Sequence, residues 1–160
     1  MPAAVDPFET NEVRILAVTW NLGGKKPRDE HISSLLQTEN VYHDIYIVGT
    51  QEALGSIVGS MFKPSKELMI RMIQECLGES FVMISSVCLQ ATHLVIFASN
   101  RISPLISEVE TSHVATGFKG KVGNKGAVKI NFNLVDQKII VINAHMHSGM
   151  ESVAKRNHDF

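Results

Sequence analysis

The chain has 160 residues, 44% of them hydrophobic and 19% charged, with a formal net charge of −1 at pH 7. That apolar fraction excludes a disordered polymer, and the near-zero charge excludes a whole-molecule field that would draw the protein to nucleic acid or to a membrane surface. No apolar run reaches the ~18 residues of a spanning helix, and Cys76 and Cys88 have neither metal-ligand nor secreted-framework spacing, so both are expected as reduced, buried thiols of a cytoplasmic protein.

Residues 1–12 read as a flexible tail without the basic and apolar regions of a signal peptide. Residues 13–20 (Val-Arg-Ile-Leu-Ala-Val-Thr-Trp) are β-rich and nearly all apolar, the pattern of a strand covered on both faces, with Trp20 in the core. A loop holding Gly23 and Gly24 follows. Asp29 is expected to cap a helix over residues 31–37. Residues 44–48 read as a second buried strand, ending at Gly49-Thr-Gln-Glu52. A helix begins at Pro64-Ser-Lys; Leu68, Met69, Met72, Ile73, Cys76 and Leu77 recur at helical spacing, and Gly78 stops it. Four β segments come next, at Phe81–Leu89, 93–99, Gly126–Leu134 and 139–145, the last two joined by a tight turn at Asp136-Gln137. From Gly149 onward the pattern is helical, with Ser148 or Ser152 as its cap. A helix without a stop signal, after strands with apolar faces, suggests sheet partners beyond residue 160. The chain is therefore read as part of a larger domain, poorly soluble on its own.

The run Gly117-Phe-Lys-Gly-Lys-Val-Gly-Asn-Lys-Gly126 carries the strongest chemical signal. It has a glycine at every third position, three lysines and no acid. Glycines let the backbone approach a ligand, and lysines beside exposed N–H groups make an anion pocket. A phosphate ester is the natural occupant, although the run matches neither a P-loop nor the dinucleotide fingerprint. Three polar residues also stand at strand ends, where ligands of α/β proteins collect. Glu52 is a candidate ligand for a hard cation such as Mg²⁺, which needs only one or two carboxylates. Asn21 can supply an amide oxygen or hold a ligand or water. His145 can donate a proton or hydrogen bond to a phosphoryl oxygen. His145-Met-His147 places two imidazoles on one strand face, but nothing nearby completes a tetrahedral zinc set. His31, His43, His93 and His113 have no evident partners.

In order along the chain, Thr19-Trp-Asn-Leu-Gly23, Gln51-Glu52, Gly123-Asn-Lys-Gly-Ala127, Asn143-Ala-His145 and Arg156-Asn-His-Asp-Phe160 resemble motifs of the inositol polyphosphate 5-phosphatases, within the endonuclease/exonuclease/phosphatase superfamily. The resemblance implies a DNase I-like four-layer α/β sandwich, two packed sheets flanked by helices, of which residues 13–160 form the amino-terminal part. It implies Mg²⁺-dependent removal of the 5-phosphate from phosphoinositides or inositol polyphosphates, with a lipid substrate met by peripheral membrane contact and no nucleic-acid partner. Glu52 would bind the metal with Asn21 beside it. Lys121, Asn124 and Lys125 would lie at the substrate phosphates, with Arg156 and Asn157 matching a further motif, and His145 would contact the scissile group. Met146-His-Ser-Gly149 departs from the usual Leu-Ala-Ala-His continuation. The family's later Gly-Asp-x-Asn-Tyr-Arg, Cys-Asp-Arg-Ile-Leu and Asp-His segments have no counterpart here, so this chain alone is expected to be inactive or nearly so. Two other readings remain: a non-catalytic module binding phosphoinositide or protein, and a nuclease or sphingomyelinase-like phosphodiesterase of the same superfamily.

Overall fold

A computed structural model of the chain describes residues 12–38, 41–53, 63–116 and 125–159. The strands are β1 (Ile15–Asn21), β2 (Ile45–Gln51), β3 (Phe81–Leu89), β4 (Thr92–Ser99), β5 (Ile106–Ala115), β6 (Gly126–Leu134) and β7 (Gln137–His145). The helices are α1 (Asp29–Leu36), α2 (Lys63–Leu77) and α3 (Val153–Asp159). A first sheet has the order β1-β2-β4-β3 and a second the order β5-β6-β7. Among the described strands only β1 and β2 run parallel, with α1 in the crossover that a parallel pair requires. The architecture is the two-sheet, helix-flanked sandwich expected.

Strand parity assigns the two cores. Ile45, Ile47, Leu94, Ile96 and Ala98 of the first sheet meet Val128, Ile130 and Phe132 of the second. On the other face of the first sheet, Tyr46, Val48, Val95 and Phe97 pack under Ile32 and Leu36 of α1 and Met69, Met72 and Ile73 of α2. Every residue of β2 and β4 is consequently buried. β1 differs from its expected double coverage. As the sheet edge it alternates exposed and half-buried residues, and Leu16, Val18 and Trp20 face the helices.

Other expectations shift for local reasons. α1 starts at Asp29, with Arg28 as its boundary residue, and the His31 ring accepts from the Arg28 backbone N–H at 3.4 Å in place of an acidic cap. Gln37, at φ 53°, ends it one residue early. α2 stops before Gly78 (φ 74°), as expected. The last hairpin turns at Val135-Asp136, since Leu134 pairs with Gln137. A 3₁₀ turn at Met150–Ser152, entered from Gly149, leads into α3, so that Ser152 is the residue before its first turn. Cys88 is exposed and Cys76 half-buried, against the buried pair expected.

The strand β5 was not expected at all. Its Glu108, Glu110, Thr111, Ser112 and His113 carry no apolar alternation because it is an exposed edge strand. A register shift lies between Ser107 and Glu110, and such charges and bulges protect an edge from foreign pairing. The outer face of the second sheet exposes Val114, Ile140 and Ile142, the last two at 57% and 63%. Replacing Ile140 and Ile142 together by Ser is expected to reduce self-association of the chain in light scattering while leaving its unfolding midpoint nearly unchanged.

His93 lies beneath α2 and is 3% exposed. Burial, reinforced by the Lys66 ammonium, lowers its pKa from 6.5 to about 4. Between those values the unfolded chain binds the proton that the folded chain refuses, so stability falls as pH drops through this window. The effect is on the order of 3 kcal/mol over the full window. Urea midpoints measured from pH 7 to 4 should show a steeper decline for the native protein than for His93→Leu.

Candidate functional site

β1 and β2 end level, with Asn21 opposite Gln51, so Glu52 emerges beside Asn21. Asn21 Nδ2 donates to Glu52 Oε1 at 3.0 Å, while Asn21 Oδ1 accepts from the Gly23 backbone N–H at 2.9 Å. Asn21 therefore orients Glu52, and its amide oxygen is directed to the turn. The loops are tied as well: Leu22 N–H donates to the Gln51 carbonyl, Gly24 N–H to that of Glu52, and Ala53 N–H to that of Ala91. Glu52 has φ 51°, a left-handed conformation that costs a non-glycine residue about 1–3 kcal/mol and persists only where the surroundings over-determine it.

The second sheet brings the opposing groups. β6 and β7 pair Gly126 with His145, which places Lys125 next to the imidazole. Lys125 Nζ lies 3.0 Å from His145 Nε2, and the same nitrogen lies 3.4 Å from Glu52 Oε1. The tautomer decides whether Nε2 accepts from the ammonium or donates to the carboxylate. Gly126 is required here, because a Cβ would run into the Val114 carbonyl and the Leu89 side chain, and its φ is 144°. The Glu52 carboxyl titrates below its ordinary value, chiefly because Asn21 hydrogen-bonds it; desolvation opposes this, and the charges of His145 and Lys125 add to the lowering. Glu52 and Lys125 thus converge on one imidazole nitrogen, and carboxylate, amide, imidazole and ammonium share one end of the sandwich.

Asn143, read in the sequence only as part of the Asn143-Ala-His145 motif and given no role there, joins the two sheets. Only 7% exposed, it stands between the sheets. Its Nδ2 donates to the carbonyls of Thr50 (3.1 Å) and His93 (2.8 Å), and its Oδ1 accepts from Gln51 Nε2 at 2.5 Å. Gln51 Nε2 also reaches Thr19 Oγ1 at 2.9 Å. One β7 side chain therefore fastens the tips of β1, β2 and β4. A polar residue at an inward position of a strand (Ile139, Val141, Asn143) was the available signal.

Several expected residues lie elsewhere or are not described. Asn124 and Lys121, like most of the glycine–lysine run, fall outside the described residues. Arg156 Nη1 donates to the carbonyls of His147 (3.0 Å) and Gly149 (2.7 Å), so it holds the loop after β7 and its bonds are not directed to Glu52, Lys125 or His145. Asn157 is exposed on α3. His147 does not share a strand face with His145, because β7 ends at His145; its Nδ1 meets Asp159 Oδ2 at 2.6 Å.

A hydrated hard cation fits this donor set. Glu52 is 44% exposed at its side chain, its depressed pKa keeps it ionised, and Asn21 fixes one oxygen. Among the described residues no group of three or more His, Cys, Asp or Glu side chains could hold a metal. An ion at Glu52 would accordingly keep several waters, as Mg²⁺ does.

The sequence matches the family model "Endonuclease/Exonuclease/phosphatase family 2" over residues 18–160. It is 29% identical to Type II inositol polyphosphate 5-phosphatase 15 of Arabidopsis thaliana and 31% identical to Type II inositol 1,4,5-trisphosphate 5-phosphatase of Mus musculus, in each case over 92% of this chain and 15% of the relative. The inositol polyphosphate 5-phosphatase domain of SPsynaptojanin, solved with inositol (1,4)-bisphosphate and calcium ion, matches with a TM-score of 0.75 at 30% identity, over 92% of this chain and 44% of that one. A Cimex nitrophorin (TM-score 0.68, 13% identity, 84% of this chain and 47% of that one) shares the fold alone. The chain spans well under two thirds of each of these proteins. Its motifs, its paired sheets and the matched residues agree: the chain belongs to endonuclease/exonuclease/phosphatase family 2, and within it is similar to the inositol polyphosphate 5-phosphatases.

Proposed function

We propose that this chain contributes the Glu52 half of a phosphomonoesterase site that removes the 5-phosphate from inositol polyphosphates or phosphoinositides with Mg²⁺. The convergence of Asn21, Glu52, Lys125 and His145 at one end of the two sheets carries this reading. Glu52 would hold the cation, with Asn21 keeping the carboxylate in place. Bound there, the ion would supply charge neutralisation for phosphoryl oxygens. Lys125 offers an ammonium to a phosphate oxygen, and Lys121 and Asn124 would extend that cradle. His145 offers Nε2–H to the ester once a phosphate replaces its protein neighbours. A lipid substrate would be met at the surface of a cytoplasmic membrane.

Among the described residues, no group of three or more His, Cys, Asp or Glu side chains gathers at Glu52, and a group that activates water is still needed. Turnover therefore belongs to a protein that also carries the family's later motifs. Purified residues 1–160 are expected to release no phosphate from inositol 1,4,5-trisphosphate above background, yet to bind Mg²⁺ calorimetrically. Activity of that fragment, abolished by Glu52→Ala, would sink the half-site reading; absence of Mg²⁺ binding would sink the metal assignment. Substantial cleavage of plasmid DNA by the longer protein would favour the nuclease alternative instead.

A further inference from the structure

We propose that the cavity between α2 and the ends of β2 and β4 is a second binding site, for an uncharged ligand with an apolar body and a single hydroxyl or carbonyl group. The cavity encloses about 580 Å³, within the range of small-molecule sites. Thr50 pairs with His93, and His93 with Cys88, so the three side chains share the face of the first sheet that α2 covers. Thr50 is 0% and His93 3% exposed. Yet Thr50 Oγ1 and His93 Nε2 have no hydrogen-bond partner among the described residues, and both residues line the cavity. Buried polar atoms are ordinarily satisfied, and each one left over is costly. Two such atoms beside the apolar side chains of Ala53, Met69 and Ile70, in a cavity that Lys66, Glu67 and Gln90 also line, have the layout of a ligand site: an apolar surface with a small polar anchor.

The anchor selects the ligand class. A neutral imidazole offers Nε2 as donor or acceptor, and the threonine hydroxyl does either. One hydroxyl on the ligand can pair with both. Lys66 and Glu67 of α2 also line the cavity with opposite charges, so neither sign of head is favoured by net charge, and the same burial that keeps the His93 ring neutral disfavours a charged head beside it. The cavity is separate from the phosphate site: Thr50 faces α2, whereas Gln51 faces the second sheet and Asn143.

Three probes with one ring system distinguish the outcomes. 2-Naphthol is expected to bind the full chain one to one and to move the His93 ring-nitrogen resonances. Naphthalene and 2-naphthoate should bind at least tenfold more weakly. His93→Leu should reduce 2-naphthol affinity to that of naphthalene, and because it removes an unpaired polar group while leaving the His93 carbonyl bond to Asn143, it should retain the native circular dichroism. Ile70→Trp, which fills the cavity from the helix side, should abolish binding of all three. If His93→Leu fails to fold, the ring-nitrogen shift in the native chain decides the matter. No 2-naphthol binding, as for a cavity that holds only water, overturns the proposal. So does 2-naphthoate binding as tightly as 2-naphthol, or a His93 ring that 2-naphthol leaves unmoved.

Discussion

Glu52→Gln is expected to eliminate calorimetric Mg²⁺ binding by this chain, and to lower phosphate release from inositol 1,4,5-trisphosphate by on the order of 10²–10³-fold in a protein that carries the complete domain, the usual loss when one preorganised electrostatic contact to a transition state is removed. The substitution separates charge from shape. A glutamine oxygen can still accept from Asn21 Nδ2, now at 3.0 Å, so the tips of β1 and β2 should stay together. Its effect on the thermal midpoint should therefore be small, as for other exposed positions. What disappears is the negative charge that faces Lys125 and His145. Asn21→Ala tests the same site from the other side. It removes the largest cause of the depressed Glu52 pKa, so protons should compete with the cation at higher pH, and Mg²⁺ affinity should decline earlier on acidification than in the native protein. Unchanged Mg²⁺ binding in Glu52→Gln would place the ion elsewhere.

That the role of Glu52 was legible in the sequence, and the role of Asn143 was not, has a physical reason. Glu52, Asn21 and His145 each interrupt an apolar strand at its end, and the Gln-Glu and Asn-x-His patterns repeat motifs of a known family. β2 and β4 were equally plain, because strands buried on both faces must be continuously apolar. β5 was invisible for the opposite reason: an exposed edge strand packs little, and its polar residues look like a loop. The half-open state of β1 was hidden too, since its composition records the coverage it can accept and not the coverage these residues supply. Arg156 illustrates a different limit. A cation in a phosphate-binding motif reads as a phosphate ligand until its partners are known, and here they are the carbonyls of His147 and Gly149. The clamping role of Asn143 had no local signal beyond its inward parity, although the residue stands in the Asn143-Ala-His145 motif, because its partners are 50 to 93 residues away.

The distances Asn143 spans make its removal the largest expected loss of stability. Asn143→Leu leaves Gln51 Nε2 with Thr19 alone and removes a donor from two buried carbonyls. At about 1–3 kcal/mol for each buried group left short of a partner, the cost is on the order of 3 kcal/mol, or roughly 6–12 °C in the melting midpoint of a domain this size. Gly49 provides an independent check. A Cβ there would lie 2.9 Å from Asn143 Cγ and 3.1 Å from its Oδ1, so Gly49→Ala should push the amide off its three partners. In Asn143→Ala that obstacle is gone. A double-mutant cycle is therefore expected to show Gly49→Ala as destabilising in the native background and nearly neutral in Asn143→Ala, with a coupling of about 1–3 kcal/mol. Strict additivity would mean that the amide does not clamp the sheets. The clamp also bears on the proposed phosphate site, because Glu52 directly follows Gln51 at the end of β2 and β7 carries His145 two residues after Asn143. With the clamp broken, the Glu52–His145 approach of 3.4 Å depends on the exposed tip loops alone. Mg²⁺ affinity should then fall in Asn143→Leu although the residue touches neither cation nor substrate.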